Sequence, residues 1–163
     1  MLISVDIGWK NFAYVRMQDK VIVDWKVISV LDDVNVNKSS LEHLVYICTP
    51  FLKSILESWR DADVVLLESQ PMGIAAARNL KTKVLSHIIQ SRLVDMGIPV
   101  VFRSPRLKLR DMPEQGTYAQ NKKYAIQETL RLIAGTPWET FFKSNAKKDD
   151  LADCFLQAYV YSP

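Results

Sequence analysis

The stretch ADVVLLESQ, residues 62–70, constrains the fold most, because it is a short and almost uninterrupted apolar run that ends on Glu68. Such a run is typical of a β-strand that is covered on both faces in a parallel arrangement. The segment after it, roughly residues 74–96, has the Ala, Leu, Ile and Lys content of a helix and is stopped by the Gly and Pro of MGIP. PVVFRS, residues 99–104, has the pattern of a second buried strand. Two buried strands joined by a long helix predict an α/β fold with a parallel pair.

Three further strands are predicted before this run. Residues in MLISVDIG, FAYVRM and KVIVDWKVISVL are enriched in β-branched and aromatic types, which favours an antiparallel meander. The glycine and asparagine of GWKN suit a tight connection between the first two strands. Ser39 or Ser40 is expected to cap a helix that Pro50 kinks or splits.

Two more helices are predicted near the C-terminus. AQNKKYAIQETLRLIA has an amphipathic pattern, and the last helix is expected to begin near Lys148. Residues 104–118, rich in Pro, Arg and Lys, indicate a flexible surface loop. The expected fold is therefore α/β, with a mixed five-stranded sheet made of a three-strand antiparallel meander plus two parallel strands, flanked by four helices. We expect one domain over residues 1–163.

Composition is that of an ordinary globular protein. Of the 163 residues, 48% are hydrophobic and 24% are charged. No apolar run approaches the roughly 20 residues that cross a bilayer, and the N-terminus lacks the basic flank of a signal peptide, so we expect a soluble intracellular protein. Cys48 and Cys154 lie in apolar periodic stretches and are expected to be reduced, buried thiols. With only His43 and His87 besides, a zinc site is not expected, and both histidines are interpreted as structural or solvent-facing.

Charge is distributed unevenly along the chain. Residues 1–70 hold 7 Lys and Arg against 10 Asp and Glu, residues 71–148 hold 14 against 5, and residues 149–163 hold none against 3. The basic middle suits a phosphate backbone as partner, although a solvated basic face would explain the charge equally well. The candidate DNA contacts, which would position a duplex without reading its sequence, are Arg78, Lys81, Lys83, Arg103, Arg106, Lys108, Arg110, Lys147 and Lys148.

Carboxylates stand at the ends of the predicted strands and at the start of the last helix. Singly, Asp6 could cap a turn, Glu68 could be a solvated strand end, and the aspartates of KKDDLAD could complement a helix N-terminus. Together they predict one acidic rim, which repels itself unless a hard cation such as Mg²⁺ or Mn²⁺ binds there. Two such ions roughly 4 Å apart could promote in-line hydrolysis of a phosphodiester. Helical spacing lets Asp153 share a face with either Asp149 or Asp150.

The motifs SVDIGWKNFAY, VVLLESQP and KKDDLADC, in this order and near these separations, resemble those of the RuvC-like Holliday junction resolvases of the ribonuclease H-like superfamily. More narrowly, the sequence is similar to the poxvirus resolvases and to the mitochondrial fungal ones. The resemblance spans almost the whole chain. It implies a ribonuclease H-like fold and a metal-dependent endonuclease, without an organic cofactor, that works as a homodimer. Such an enzyme makes paired symmetric nicks in four-way DNA junctions.

The resemblance also implies roles for individual residues. Asp6, Glu68, Asp150 and Asp153 match the metal-binding carboxylates of the family, which favours Asp150 over Asp149. A basic residue at the start of the penultimate helix acts near the scissile phosphate in the family, and NKKYAIQ offers both Lys122 and Lys123. Viral origin and action in the cytoplasm of an infected cell are implied by similarity alone. Asp149 is left to cap the helix or tune the site.

Other interpretations of the same motifs are open. A sugar kinase or actin-like ATPase also has an aspartate and glycine on its first strand, but the five scattered glycines here form no phosphate loop. A non-catalytic DNA-binding protein on the same fold, or a related nuclease acting on branched DNA or RNA–DNA hybrids, are the remaining alternatives. Trp9 and Phe12 could touch a base or sugar, with packing the preferred role for Phe12. The long helix after Glu68 is the candidate dimer interface.

Overall fold

The described part of the chain forms five strands and five helices. The computed structural model describes residues 1–70, 76–109 and 116–161, apart from the side chains at positions 76–78 and 108. The strands are β1 Leu2–Asp6, β2 Asn11–Gln18, β3 Val21–Ser29, β4 Val64–Glu68 and β5 Val100–Arg103. The helices are α1 Leu41–Glu57, α2 Ala76–Asp95, α3 Tyr118–Leu132, α4 Pro137–Ser144 and α5 Lys148–Tyr159, with a 3₁₀ turn at Leu107–Leu109.

The strands form a single mixed sheet in the order β3-β2-β1-β4-β5. β1 pairs antiparallel with β2, and β2 pairs antiparallel with β3. On its other edge β1 pairs in parallel with β4, which in turn pairs in parallel with β5. The predicted meander plus parallel pair is confirmed.

Apolar side chains cover both faces of this sheet, since alternate residues of a strand point to opposite sides. One core packs α1 and α2 against the sheet through residues such as Val5, Leu44 and Ile89. The other core packs α3, α4 and α5 against the opposite face through residues such as Trp25 and Phe155. The sheet is therefore the middle layer of three, with helices packed on both of its faces.

Helix predictions were accurate except at one place. α1 continues from Leu41 to Glu57 with Pro50 inside it, so of the two predicted effects of this proline, a kink or a split, the split does not occur. The helix α4, which is only 8 residues long, was not predicted. Its local signals are a Thr136 cap position and a proline in the first turn.

Several side-chain predictions can be compared with their burial. Cys48 and Cys154 are buried, as expected, whereas His43 and His87 are exposed. Trp9 is only 5% exposed and packs in the core, which does not support the contact with a base or sugar that the sequence allowed. The loop predicted at residues 104–118 contains the 3₁₀ turn, while its residues 110–115 lie outside the described part of the chain. Among the described residues, none of the helices is long and apolar enough to cross a membrane.

Candidate active site

Two adjacent parallel strands bring the first two acids to the same edge of the sheet. Asp6 ends β1 and Glu68 ends β4. Val5 pairs with Leu67 in the parallel register, so each acid is the next residue on its own strand. Val5 and Leu67 belong to the core beneath α1 and α2, which by strand alternation directs Asp6 and Glu68 to the opposite face. That face is the one covered by α5.

The turn after Asp6 depends on a glycine. A Cβ atom on Gly8 would lie 2.4 Å from the carbonyl oxygen of Asn11, far inside van der Waals contact. Only glycine therefore lets the chain reverse this tightly into β2. The glycine of DIG is therefore required by the tight turn, and this turn leaves the Asp6 carboxylate at the edge of the sheet.

The first turns of α5 supply the other two acids. Asp149 and Asp150 lie in the first turn, and Asp153 lies three residues after Asp150 on the same side of the helix. Trp25 of β3 fixes the position of this helix, because its indole Nε1 donates a hydrogen bond to the Leu151 carbonyl at 3.2 Å. The same indole packs against Phe155 with ring centroids 5.3 Å apart.

One cavity of about 430 Å³ joins these elements at the edge of the sheet. Its lining includes all four acids that match the family motifs, whereas Asp149 is not among them. Basic, amide and aromatic groups complete the wall. The lining residues are Asp6, Glu68, Pro105, Arg106, Leu109, Tyr118, Asn121, Lys122, Asp150 and Asp153.

Helix α3 provides the wall opposite the strands. Its N-terminus is held by a capping box in which Thr117 and Gln120 exchange hydrogen bonds. Tyr118, Asn121 and Lys122 recur at helical spacing and all line the cavity. Lys123 is exposed and is not part of the lining. Of the two lysines left open by the sequence, Lys122 lines the cavity together with the four acids and Lys123 does not.

Lys122 is paired with the aspartate that lies outside the cavity. Its ammonium donates a hydrogen bond to the Asp149 carboxylate and lies 4.9 Å from the centroid of the Tyr118 ring. Hydrogen bonding to Asp149 and to Tyr118 raises the pKa of Lys122, so this side chain is cationic at neutral pH. Burial alone would raise the pKa of Asp149, but the hydrogen bond and charge of Lys122 bring it below its usual value.

Asp150 has the opposite environment although it is the next residue. Burial raises the pKa of its carboxyl, and the negative charge of Asp149 raises it further. Lys147 and Lys122 act in the other direction, and Asp153 adds to the increase. The charged form of Asp150 is thus disfavoured until a cation approaches it.

The donor atoms of the cavity suit a hard divalent cation, because its acids offer carboxylate oxygens only. The amide oxygen Oδ1 of Asn121 is buried and has no hydrogen-bond partner within the described part of the chain. A buried oxygen without a donor is costly, and a cation or its water would satisfy it. Among the same residues, however, no three His, Cys, Asp or Glu side chains form a ready cluster for a metal ion. The carboxylates share a cavity without forming a closed ligand set, so binding would require their side chains to move.

The residues predicted to contact DNA differ in their exposure and in their distance from the cavity. Arg106 lines the cavity and is exposed, and Lys147 is exposed at the start of α5. Arg103 is half-buried on β5 opposite Glu68, with its guanidinium 5.3 Å from the Tyr161 ring. The Lys148 ammonium donates to the Asn145 carbonyl at 2.6 Å.

Lys81, another predicted DNA contact, is hydrogen-bonded within the protein. Its ammonium donates to the backbone carbonyls of Val36 and Ser39 at 2.6 and 2.8 Å, which ties α2 to the loop before α1. Lys83 is half-buried on the same helix. Arg110 lies outside the described residues, as do the side chains of Arg78 and Lys108.

Sequence reasoning missed two residues of the cavity wall, Tyr118 and Asn121. Tyr118 lies four positions before Lys122 on the same side of α3, so projecting the helix from that lysine would have found it. Asn121 lies three positions after Tyr118 and would be found only by projecting from Tyr118. Sequence reasoning also left Asp149 without a defined role, because its partner Lys122 is 27 positions away in the sequence.

A mixed sheet in this order, with acids at the ends of β1 and β4 and on the helix packed across them, defines a ribonuclease H-like protein of the RuvC type. The chain belongs to the poxvirus A22 protein family, whose model matches residues 1–162. This is a resolvase family, so the resemblance drawn from the three acidic motifs is confirmed. Holliday junction resolvases are endonucleases, and the chain is homologous to them.

Solved structures that share the fold include three Holliday junction resolvases. The Fowlpox virus resolvase, in complex with its substrate Holliday junction DNA, is 18% identical with a TM-score of 0.63, over 96% of this chain and 93% of that one. RuvC of T. thermophilus, in complex with a Holliday junction substrate, is 14% identical with a TM-score of 0.66, over 98% and 90%. The yeast mitochondrial Holliday junction resolvase Ydc2 is 18% identical with a TM-score of 0.64, over 98% and 77%.

A viral sequence relative is also found. Uncharacterized protein 97L of Invertebrate iridescent virus 3 is 24% identical over 208 residues, covering 98% of this chain and 98% of that protein.

Proposed function

We propose that this protein is a metal-dependent, structure-selective endonuclease that resolves four-way DNA junctions by paired symmetric nicks. The observation that carries the proposal is the cavity in which Asp6, Glu68, Asp150 and Asp153 meet Lys122. Membership of the poxvirus A22 family and a fold shared with three Holliday junction resolvases support the choice of substrate. The whole activity would reside in one domain, acting in the cytoplasm of an infected cell.

The four carboxylates of the cavity would hold Mg²⁺ or Mn²⁺, with two ions per site. Once bound, such ions would activate water and stabilise charge on a phosphodiester. Asp6 and Glu68 come from rigid strand ends, whereas Asp150 and Asp153 come from a helix that Trp25 anchors. The Asn121 amide oxygen lies in the same wall and would accept a hydrogen bond from water or contribute an uncharged ligand atom.

Two basic side chains of the cavity would bind the scissile phosphate. Lys122 lines the cavity from α3 as a fixed positive charge, which suits stabilisation of the charge that develops on the phosphate. Since its pKa is raised, it is not suited to act as a general base. Arg106 stands exposed at the mouth of the cavity, where a guanidinium would position the DNA backbone.

Symmetric nicks require two active sites, so we infer a homodimer that uses α2. Leu80 and Val94 of this helix are 56% and 59% exposed, and Tyr46 of the neighbouring α1 is 81% exposed. Apolar side chains on one helical layer are typical of a surface that another subunit covers. Sedimentation equilibrium at micromolar concentration should give twice the chain mass, and Leu80→Glu combined with Val94→Glu should give the monomer. A wild-type monomer would contradict this interface.

The central experiment compares DNA structures and metal conditions. A labelled four-way junction, a linear duplex and an RNA–DNA hybrid of matched sequence are incubated with the protein in Mg²⁺, in Mn²⁺ and in EDTA. We expect symmetric cuts across the junction with either metal, none in EDTA, and an intact duplex and hybrid. Junction cleavage that persists in EDTA would refute the metal-dependent mechanism. Preferred cleavage of the hybrid would instead assign a different nuclease activity to the same site.

A further inference from the structure

Asp149 and Asp150 are consecutive aspartates on α5 that face different partners. Asp150 lines the acidic cavity, whereas Asp149 does not and forms an ion pair with Lys122 of α3. The two side chains of that pair are partly buried, with 36% of Lys122 and 27% of Asp149 exposed. A half-buried pair is less screened by solvent and salt than a pair on the open surface. The interaction is therefore able to fix the position of a long, flexible side chain.

We propose that Asp149 is a positioning residue that holds the Lys122 ammonium at the wall of the cavity, outside the set of residues that bind metal. This inference rests on the proposed function, since it assigns Lys122 to the scissile phosphate. Lysine has many rotamers, and their loss on ordering has an entropic cost. Because Asp149 orders the Lys122 side chain before substrate binds, that entropic cost is not incurred during the reaction. The Lys122 ammonium is already at the wall of the cavity when a phosphate enters.

Further contacts favour this division of roles. The Tyr118 ring lies 4.9 Å from the Lys122 ammonium, so the side chain is held by a ring on its own helix and by a carboxylate on α5. Lys123 is exposed on α3, away from this arrangement. The start of α5 is itself held by the hydrogen bond from Trp25 to Leu151. Asp149 therefore stands on a fixed element and can transmit that position to Lys122.

Asp149 is predicted to position Lys122 and not to bind metal, which distinguishes it from Asp150. Removing the Asp150 carboxylate should abolish metal binding because that oxygen ligand is lost. Removing the Asp149 carboxylate should leave the affinity for Mn²⁺ within about twofold, since the four lining acids remain. Junction affinity should also change little, because many phosphate contacts contribute to it. The cleavage step should slow, since Lys122 is no longer aligned.

The ion pair is first tested without catalysis. Lysines are reductively methylated with ¹³C-formaldehyde, and the Lys122 signal is assigned by its loss in Lys122→Arg. We expect Asp149→Asn to shift that signal and Asp33→Asn, a change at an exposed acid outside the cavity, to leave it in place. A Lys122 signal that is unchanged in Asp149→Asn would overturn the inference whatever the protein cleaves.

The positioning role is then tested by a double-mutant cycle on the single-turnover cleavage of a four-way junction in Mg²⁺. Asp149→Asn should slow cleavage by roughly tenfold to a hundredfold in the wild-type background. In the Lys122→Gln background it should change the rate by less than about twofold, because the residue it positions is gone. Asp149→Glu, which restores the charge on a longer side chain, should recover part of the rate.

The outcomes separate this inference from the proposed function. If wild type cleaves junctions and Asp149→Asn cleaves equally fast, Asp149 has no positioning role and the nuclease assignment stands. Equal effects of Asp149→Asn with and without Lys122 would indicate a general structural role, and a lowered Tm would accompany it. Loss of Mn²⁺ binding in Asp149→Asn, measured by electron paramagnetic resonance, would make Asp149 a metal ligand instead. A wild type that cleaves no junction would overturn both the function and the positioning role.

Discussion

Each face of the sheet packs around one fully buried tryptophan, but only one of the two supports the cavity. Trp59 lies on the α1 and α2 side, with its ring centroid 5.3 Å from that of Tyr14. Within the described part of the chain, its indole Nε1 has no hydrogen-bond partner. Trp25 lies on the other side and donates its Nε1 hydrogen bond to Leu151 of α5. The first tryptophan stabilises the fold alone, whereas the second also positions the acids of α5.

The comparison extends to the charges on the two faces. The hydrophobic cluster beneath α1 and α2 includes Val5 and Leu67, the residues just before the two strand-end acids. The opposite core changes at the ends of β1 and β4 into a cavity lined by acids. Burial and the charge of Asp149 disfavour the charged form of Asp150, so the apolar packing behind the cavity must hold the fold without help from this carboxylate. Function and stability should therefore be separable by substitution.

The largest expected effect comes from Asp6→Asn, which changes the cavity and neither core. Junction cleavage in Mg²⁺ should fall roughly a thousandfold, because a carboxylate that would hold the metal ion is lost, and with it the charge stabilisation that the ion would supply. Junction binding should be retained or tightened, since one negative charge that repels phosphate is removed. Gel-shift and single-turnover assays measure the two quantities on the same protein.

The control for this change is the melting temperature. If Asp6 served only to cap the turn at Gly8, the variant would lose stability and its cleavage defect would follow from unfolding. A Tm equal to or above that of wild type, together with the loss of cleavage, would support the functional role. Cleavage at the wild-type rate would remove Asp6 from the active site.

The second prediction compares the two tryptophans directly. Trp25→Phe keeps a ring in the core but loses the hydrogen bond to Leu151, so it should cost about 1 kcal/mol from that bond besides the loss of ring volume. Trp59→Phe loses volume without losing a hydrogen bond. Urea unfolding measures both costs.

The affinity for Mn²⁺ should also distinguish the two tryptophan variants. Trp25→Phe should weaken Mn²⁺ binding several-fold, because α5 carries Asp150 and Asp153 and is less firmly held. Trp59→Phe should leave Mn²⁺ binding unchanged, although it too disturbs a buried aromatic cluster. Equal Mn²⁺ affinities in the two variants would show that the anchoring of α5 does not control the site.

The sheet and the grouping of the acids could be predicted from sequence patterns, because both follow from the alternation and pairing of strands. Strand periodicity places Asp6 and Glu68 at the ends of their strands, and neighbouring parallel strands end at the same edge. The choice between Lys122 and Lys123 was out of reach, because it depends on how α3 is rotated against α5. That rotation is determined by packing between helices and leaves no mark on either lysine's local sequence.

Two other features depend on packing in a similar way. Trp9 follows a predicted strand end beside Asp6, where an aromatic side chain can turn outward or pack, and burial in the α1 and α2 core decided the outcome. The helix α4 was missed since only 8 residues form it and its stability comes from packing Phe142 against Trp25. Both depend on contacts between residues far apart in the chain.

A smaller effect is expected from Asn121, a wall residue that carries no charge. Asn121→Ala removes the buried Oδ1 atom that has no partner within the described residues. If that oxygen serves a cation or its water, Mn²⁺ affinity should fall by several-fold, while the metal-free protein should be as stable as wild type or slightly more so. Calorimetric titration and thermal melts measure the two properties. A loss of stability with unchanged Mn²⁺ affinity would show that the amide serves packing instead.

The smallest effect is the pH dependence of Asp150 in the metal-free protein. Burial first, and then the charge of Asp149, raise the pKa of Asp150 above its ordinary value of 3.8, so the native state binds the proton more tightly than the unfolded chain does. The resulting destabilisation is complete above the native pKa, shrinks as pH falls through it, and vanishes below about pH 3.8. Asp150→Asn should therefore raise Tm slightly at pH 7 in EDTA and lose that advantage as pH falls towards 3.8. An unchanged Tm at pH 7 would show that the charged Asp150 carboxylate does not destabilise the metal-free protein. The proposed difference between a destabilising site and stabilising cores would then not hold for this residue.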